Sequence, residues 1–193
     1  MALVCFSLPV SAFATTIPGN QTVAGVEPYI TSNENGTISL DSTAAINAGV
    51  DYAVVDAVSK NISDMNSLVL NSAAYIDENL TLVVELASPR SGGVSKVTTT
   101  WYGLTQIYMN AADTQVFITN LSSVGDVATV GGMVGLLPGS VASVVGGIST
   151  IFGFETLLYR SQAESAAKGG NGIIMNIQTD ILTQTQSIYF TAQ

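Results

Sequence analysis

Between residues 51 and 77, apolar positions recur three and four residues apart. Val55, Val58, Ile62, Met65, Val69 and Ile76 keep this spacing, and only Ser72 among the stripe positions is polar. The period places them on one face and predicts an amphipathic helix with a narrow buried stripe. Asp41 or Ser42 is suited to cap the segment that leads into it. Upstream, residues 28–31 and 37–40 read as short strands around Asn33-Glu34-Asn35-Gly36, whose Asn-Gly favours a hairpin turn. Residues 80–86 form an apolar run that suits either a strand or an extension of the helix.

Ser88-Pro89-Arg90-Ser91-Gly92-Gly93 then breaks the pattern and reads as a linker. Residues 94–109, rich in Thr, Val and aromatics, read as a strand. From Val127 to Phe154 no residue is charged, and the run is interrupted at Leu137-Pro138-Gly139-Ser140. Pro138 disfavours helical geometry at Leu137 and Gly139 accepts turn conformations, so two antiparallel helices joined by a tight turn are expected there. Their arms are expected to reach about Ala112 and Ala167. Small residues recur four apart within the run, a spacing that lets helix backbones approach closely in lipid or in a soluble core. The candidate packing or membrane positions are Gly131, Gly135, Pro138, Gly139, Gly146, Gly147 and Gly153. Trp101, Tyr102 and Tyr108 are candidates for an interfacial aromatic belt, with packing on the hairpin as the alternative.

Lys168-Gly169-Gly170-Asn171-Gly172 ends the second helix, and the tail alternates apolar and polar residues as one or two strands would. The expected fold class is α+β, with an amphipathic N-terminal helix, a Gly-rich apolar helical hairpin and a small antiparallel sheet. The sheet would pair the Trp101 strand with the tail.

Charge divides the chain. Nine acids stand against two bases in residues 15–90, and five against three from Ser91 onward, within a net charge of −9. Such an acidic balance argues against nucleic acid as a partner. Charged residues make up 10% and hydrophobic ones 47%, which excludes disorder for most of the chain. There is no histidine, and Cys5 is the one cysteine. The commonest general base, the commonest metal ligand and every Ser-His arrangement are therefore missing. Asp77 and Glu78 are sequence neighbours on a solvated face, not a facing pair, and no phosphate-cradling loop occurs. No enzyme activity, cofactor or metal is expected.

Residues 1–14 are apolar and close on Ala12-Phe13-Ala14, the pattern of a signal peptide whose basic n-region is missing. The expected organisation is thus a signal peptide over residues 1–14, an acidic region with the amphipathic helix over 15–90, and a strand, hairpin and strand region over 91–193.

Gly92-Gly93-Val94-Ser95-Lys96, then Trp101-Tyr102-Gly103, then the Gly-rich run, follow an order that resembles uncharacterised secreted proteins of Gram-positive bacteria. Those carry a GGV-x-K…W-[WY]-G strand before a Gly-rich helical pair, and Val26-Glu27-Pro28-Tyr29-Ile30 is similar to their mature N-terminus. The resemblance implies export and a bacterial source, and it brings no catalytic residue. Bacteriocin precursors share the helical architecture by analogy only. Two functions are expected from these readings. One is a secreted, bacteriocin-like precursor whose hairpin enters lipid membranes, with an immunity or receptor protein as partner. The other is a soluble secreted binding or surface protein in which the hairpin is only core.

Overall fold

The computed structural model describes residues 23–72, 74–86, 92–124, 127–129 and 157–193. Two 3-10 turns, Val23–Gly25 and Glu27–Tyr29, lead into a two-stranded hairpin, β1 (Ile30–Ser32) and β2 (Ile38–Leu40), which turns through Asn33–Gly36 with Gly36 at φ +78. Asp41 caps α1 (Ser42–Asn47), accepting from Ala44 N at 2.9 Å. Asp51 caps α2 (Tyr52–Asn71) in the same manner, accepting from Ala53 N at 2.7 Å. Val54, Val55, Val58, Ile62 and Met65 form its buried stripe. The helix stops at Ser72, whose backbone is extended and whose hydroxyl donates to Leu68 O at 2.6 Å. The expected stripe therefore ends early, and Ile76 belongs to a strand.

Six strands then build one antiparallel sheet in the order β10-β9-β6-β5-β4-β3. They are β3 (Tyr75–Ile76), β4 (Thr81–Glu85), β5 (Lys96–Thr100), β6 (Leu104–Asn110), β9 (Gly172–Thr179) and β10 (Gln186–Ala192). The stretch expected as one strand over 94–109 is a hairpin. Gly103 at φ +93 lets the chain reverse, Gly103 N bonds Thr100 O at 3.1 Å, and Leu104 N bonds Thr100 Oγ1 at 3.0 Å. The expected pairing of this region with the tail holds, since β6 lies beside β9 in register from Leu104↔Gln178 to Asn110↔Gly172.

The described residues also form α3 (Ala111–Val124), α4 (Arg160–Ala166) with a 3-10 turn at Ala167–Gly169, and a strand pair, β7 (Val127–Thr129) with β8 (Leu157–Tyr159). This corrects the expected fold class. The chain is α+β, but a six-stranded sheet dominates, and among the described residues no Gly-rich apolar helical hairpin is evident. Arms running from 112 to 167 would be helical through 127–129 and 157–159, yet those residues pair as antiparallel strands. Val127 and Thr129 are β-branched, which favours the extended backbone. Residues 130–156, with Gly131, Gly135, Pro138, Gly139, Gly146, Gly147 and Gly153, lie outside the described residues, as do the expected signal peptide and residues 87–91.

The helices pack on one face of the sheet. Val97, Ile107, Met109, Ile173, Met175 and Ile177 meet Phe117 and Leu121 of α3 and Ala163 of α4. Toward the β3 edge, Leu82 and Trp101 meet Val54, Val58, Ile62 and Met65 of α2. Leu68 touches both clusters and joins them into one layer. Asn66 ties the N-terminal hairpin to α2: its amide donates to Ile38 O at 2.7 Å and its Oδ1 accepts from Ile38 N at 2.9 Å, standing in for a strand neighbour.

Candidate binding face

Residues opposite one another in an antiparallel sheet share a face, so the strand registers sort every side chain. One row, Val84–Val97–Ile107–Met175–Phe190, lies under the helices. The next row on the other side reads Tyr75–Val83–Thr98–Gln106–Asn176–Tyr189. Beside it runs Glu85–Lys96–Tyr108–Ile174–Thr191. Amide, hydroxyl and phenol groups thus dominate the face that turns away from the helices.

These groups are wired together. The Gln106 amide donates to Asn176 Oδ1 at 2.8 Å, and Tyr108 OH donates to Gln106 Oε1 at 3.1 Å. The Asn176 amide reaches on to Thr191 Oγ1 at 3.2 Å. Lys96 Nζ stands 4.8 Å from the centre of the Tyr108 ring, a cation–π contact that holds both. Burial of Tyr108 raises the pKa of its phenol. At the β3 edge, Tyr75 OH donates to Glu85 Oε1 at 3.2 Å. The Tyr75 phenol is also shifted up, by desolvation first and then by its bond and charge contact with Glu85. The network fixes rotamers before any ligand arrives, while Tyr75 and Tyr189 remain 46% and 47% exposed.

A groove of about 370 Å³ lies elsewhere, between α2 and the turn that joins β9 to β10. Tyr52, Asp56, Lys60, Asn61 and Asp64 form its helical wall, and Ile181, Leu182 and Gln184 form the other. Asp56, Lys60 and Asp64 follow at four-residue steps on one helix face. Desolvation raises the Asp64 pKa, and Lys60 opposes that shift.

Ser95, Asn110 and Asp113 make a buried polar cluster with a structural role. Asn110 Oδ1 accepts from Asp113 N at 2.9 Å and so caps α3, while Ser95 Oγ donates to Asp113 Oδ2 at 2.5 Å. The Asn110 amide donates to Ser95 Oγ at 2.8 Å. Among the described residues, no group of three or more His, Cys, Asp or Glu side chains is placed to hold a metal ion.

The three aromatics singled out in the sequence are not brought together. Trp101 is 5% exposed, packs with the α2 cluster, and meets Tyr102 edge-on at 5.3 Å. Tyr108 sits on the opposite face of the sheet. Gln106 and Asn176, at the centre of the polar face, were not legible as a pair. Seventy residues separate them, and the one available signal was a partial alternation, Gln106–Tyr108–Asn110 in one strand and Asn176–Gln178 in the other. No helix among the described residues is long and apolar enough to cross a membrane. Comparison with protein-family models, with curated proteins and with solved structures finds no match.

Proposed function

We propose that the chain is an exported, non-enzymatic binding protein that lays the polar face of its sheet against a neutral, hydroxyl-rich polymer such as a polysaccharide. The observation that carries this reading is the wired network on the face opposite the helices, in which buried Asn176 holds half-buried Gln106 and exposed Thr191, with Tyr108 bonded to Gln106, beside the exposed rings of Tyr75 and Tyr189. Amide groups donate and accept at once, as sugar hydroxyls do. Exposed Tyr rings offer flat apolar area to the faces of sugar rings. Held rotamers lower the entropy lost on binding. The net charge of −9 disfavours anionic polymers and anionic lipid surfaces. Export is supported by the Ala12-Phe13-Ala14 pattern in the sequence.

Of the two functions expected from sequence, this is the binding protein. The membrane-active alternative rested on continuous helical arms from about 112 to 167, and the strand pairing of 127–129 with 157–159 interrupts them. The test is co-sedimentation of the mature protein with insoluble neutral polysaccharides, alongside leakage assays on anionic and zwitterionic vesicles. Retention on at least one polysaccharide, weakened tenfold or more by Tyr75→Ala with Tyr189→Ala, is the expected result. Vesicle leakage without polysaccharide retention would overturn the reading.

A further inference from the structure

The two edges of the six-stranded sheet differ. β3 closes one side with two residues. β10 closes the other with seven, Gln186-Ser187-Ile188-Tyr189-Phe190-Thr191-Ala192, and none is charged, Pro or Gly. Long edges invite pairing with another chain, and proteins blunt them by shortness, charge, proline or a bulge. β3 is blunted by its shortness. β10 carries none of these devices.

The phase of the ladder fixes which backbone groups face outward. Gln193 N donates to Gly172 O at 3.1 Å and Asp180 N donates to Thr185 O at 2.8 Å, so the odd-numbered positions carry the bonds between β9 and β10. The N–H and C=O of Ile188, Phe190 and Ala192 consequently point away from β9. Among the described residues, no strand lies beyond them.

We propose that β10 pairs antiparallel with β10 of a second copy, about a two-fold axis at Tyr189, so that two six-stranded sheets become one. In this register Ile188 meets Phe190 of the second copy. Both have outward-facing backbone groups, so theirs are the hydrogen-bonded pairs, and both side chains extend the apolar rows beneath the helices. Tyr189 meets its own equivalent in the close, non-hydrogen-bonded position on the polar face. Ser187 meets Thr191, hydroxyl against hydroxyl, and no like charges oppose. A strand of another chain would satisfy the backbone equally. The favourable match at each of these side-chain pairs is what selects a second copy, as an isologous contact requires. The pairing does not depend on what the polar face binds.

Sedimentation of the full chain across the micromolar range is expected to show a reversible dimer. In Ser187→Lys/Thr191→Lys, lysines oppose one another twice across the axis, and the dimer should dissociate. In Ser187→Glu/Thr191→Lys each lysine meets a glutamate instead, and the dimer should return. In a Cys5→Ser background, mild oxidation should link Tyr189→Cys into a disulfide dimer, because residue 189 faces itself. Ser187→Cys should stay unlinked, because residue 187 faces 191. The cysteine pair decides the matter if the lysine variants fail to fold. A wild type that stays monomeric, a Glu/Lys variant no more dimeric than the Lys/Lys variant, or equal linking at 187 and 189 would each overturn the proposal.

Discussion

Gln106 and Asn176 face each other at the centre of the sheet, and the Gln106 amide donates to Asn176 Oδ1 at 2.8 Å. Asn176 is 2% exposed, so its amide is taken out of water and must be satisfied within the protein. Replacing Asn176 with Ala is expected to cost about 1–3 kcal/mol, because Gln106 loses its acceptor. The Gln106→Ala/Asn176→Ala double variant should cost less than the two single changes added together. Urea titrations of the four proteins measure this. Strictly additive losses would mean that the pair is not coupled.

Ser95 stands under the first turn of α3, giving its proton to Asp113 and accepting from the Asn110 amide. All three side chains are buried. Ser95→Ala leaves the Asp113 carboxylate and the Asn110 amide each short of a partner, with an expected cost of about 2–3 kcal/mol. Ser95→Thr retains the hydroxyl and should recover part of it. Equal melting temperatures for wild type and Ser95→Ala would count against the cluster as a cap.

Gly172 has φ +109, and a Cβ there would overlap Met109 O in the neighbouring strand. Gly172→Ala therefore meets both an unfavourable backbone conformation and a collision with main chain that cannot swing aside. A loss of at least about 2 kcal/mol is expected in chemical denaturation. Gly170, also left-handed at φ +78, has open space around it, so Gly170→Ala should cost less than Gly172→Ala. A reversed order would refute the packing described for β6 against β9.

α2 was legible because five of its buried positions hold helical spacing, and β1–β2 because Asn35-Gly36 announces a turn. The β5–β6 hairpin was hidden, since Trp101 and Tyr102 favour strands and mask a reversal that rests on Gly103 and the Thr100 hydroxyl. The helical arms expected from 112 to 167 are interrupted by strands. An uncharged Gly-rich run suits helices in principle, yet at 127–129 and 157–159 strand pairing wins, and pairing across so long a separation leaves no local mark. The polar face was invisible for the same reason. Alternation in one strand shows that two faces differ, whereas the partner rows and the helices decide which face stays open.

Burial holds the Asp64 carboxyl above its ordinary value of 3.8, with Lys60 pulling the other way. Between the unfolded and the raised folded pKa, the folded protein keeps a proton that the unfolded chain has released. Stability from this group therefore falls as pH rises through that window and stays reduced above it. Asp64→Asn should melt higher than wild type at neutral pH, and the gap should close as the pH falls toward 3.8. Thermal melts of both proteins over that range are the measurement. A gap that does not change with pH would show that desolvation is not the cause.

The acidic half and the Gly-rich half are held together by more than the chain between them. β4 pairs with β5 from Thr81↔Thr100 to Glu85↔Lys96, on either side of the segment the sequence suggested as a linker. Trp101, from the second half, is buried in the cluster that lines α2, and the Asn61 amide donates to Trp101 O at 3.2 Å. Separating the halves would expose Leu82 and Trp101 and leave a row of β5 backbone groups unpaired. Burying one large side chain alone contributes about 1.5–3 kcal/mol. A specific protease site placed within residues 88–91 and cut should therefore yield two pieces that elute together in native buffer. They should part only in denaturant. Pieces that separate on a native column would show that the sheet does not bind the halves, and that one cut could release the Gly-rich half on its own.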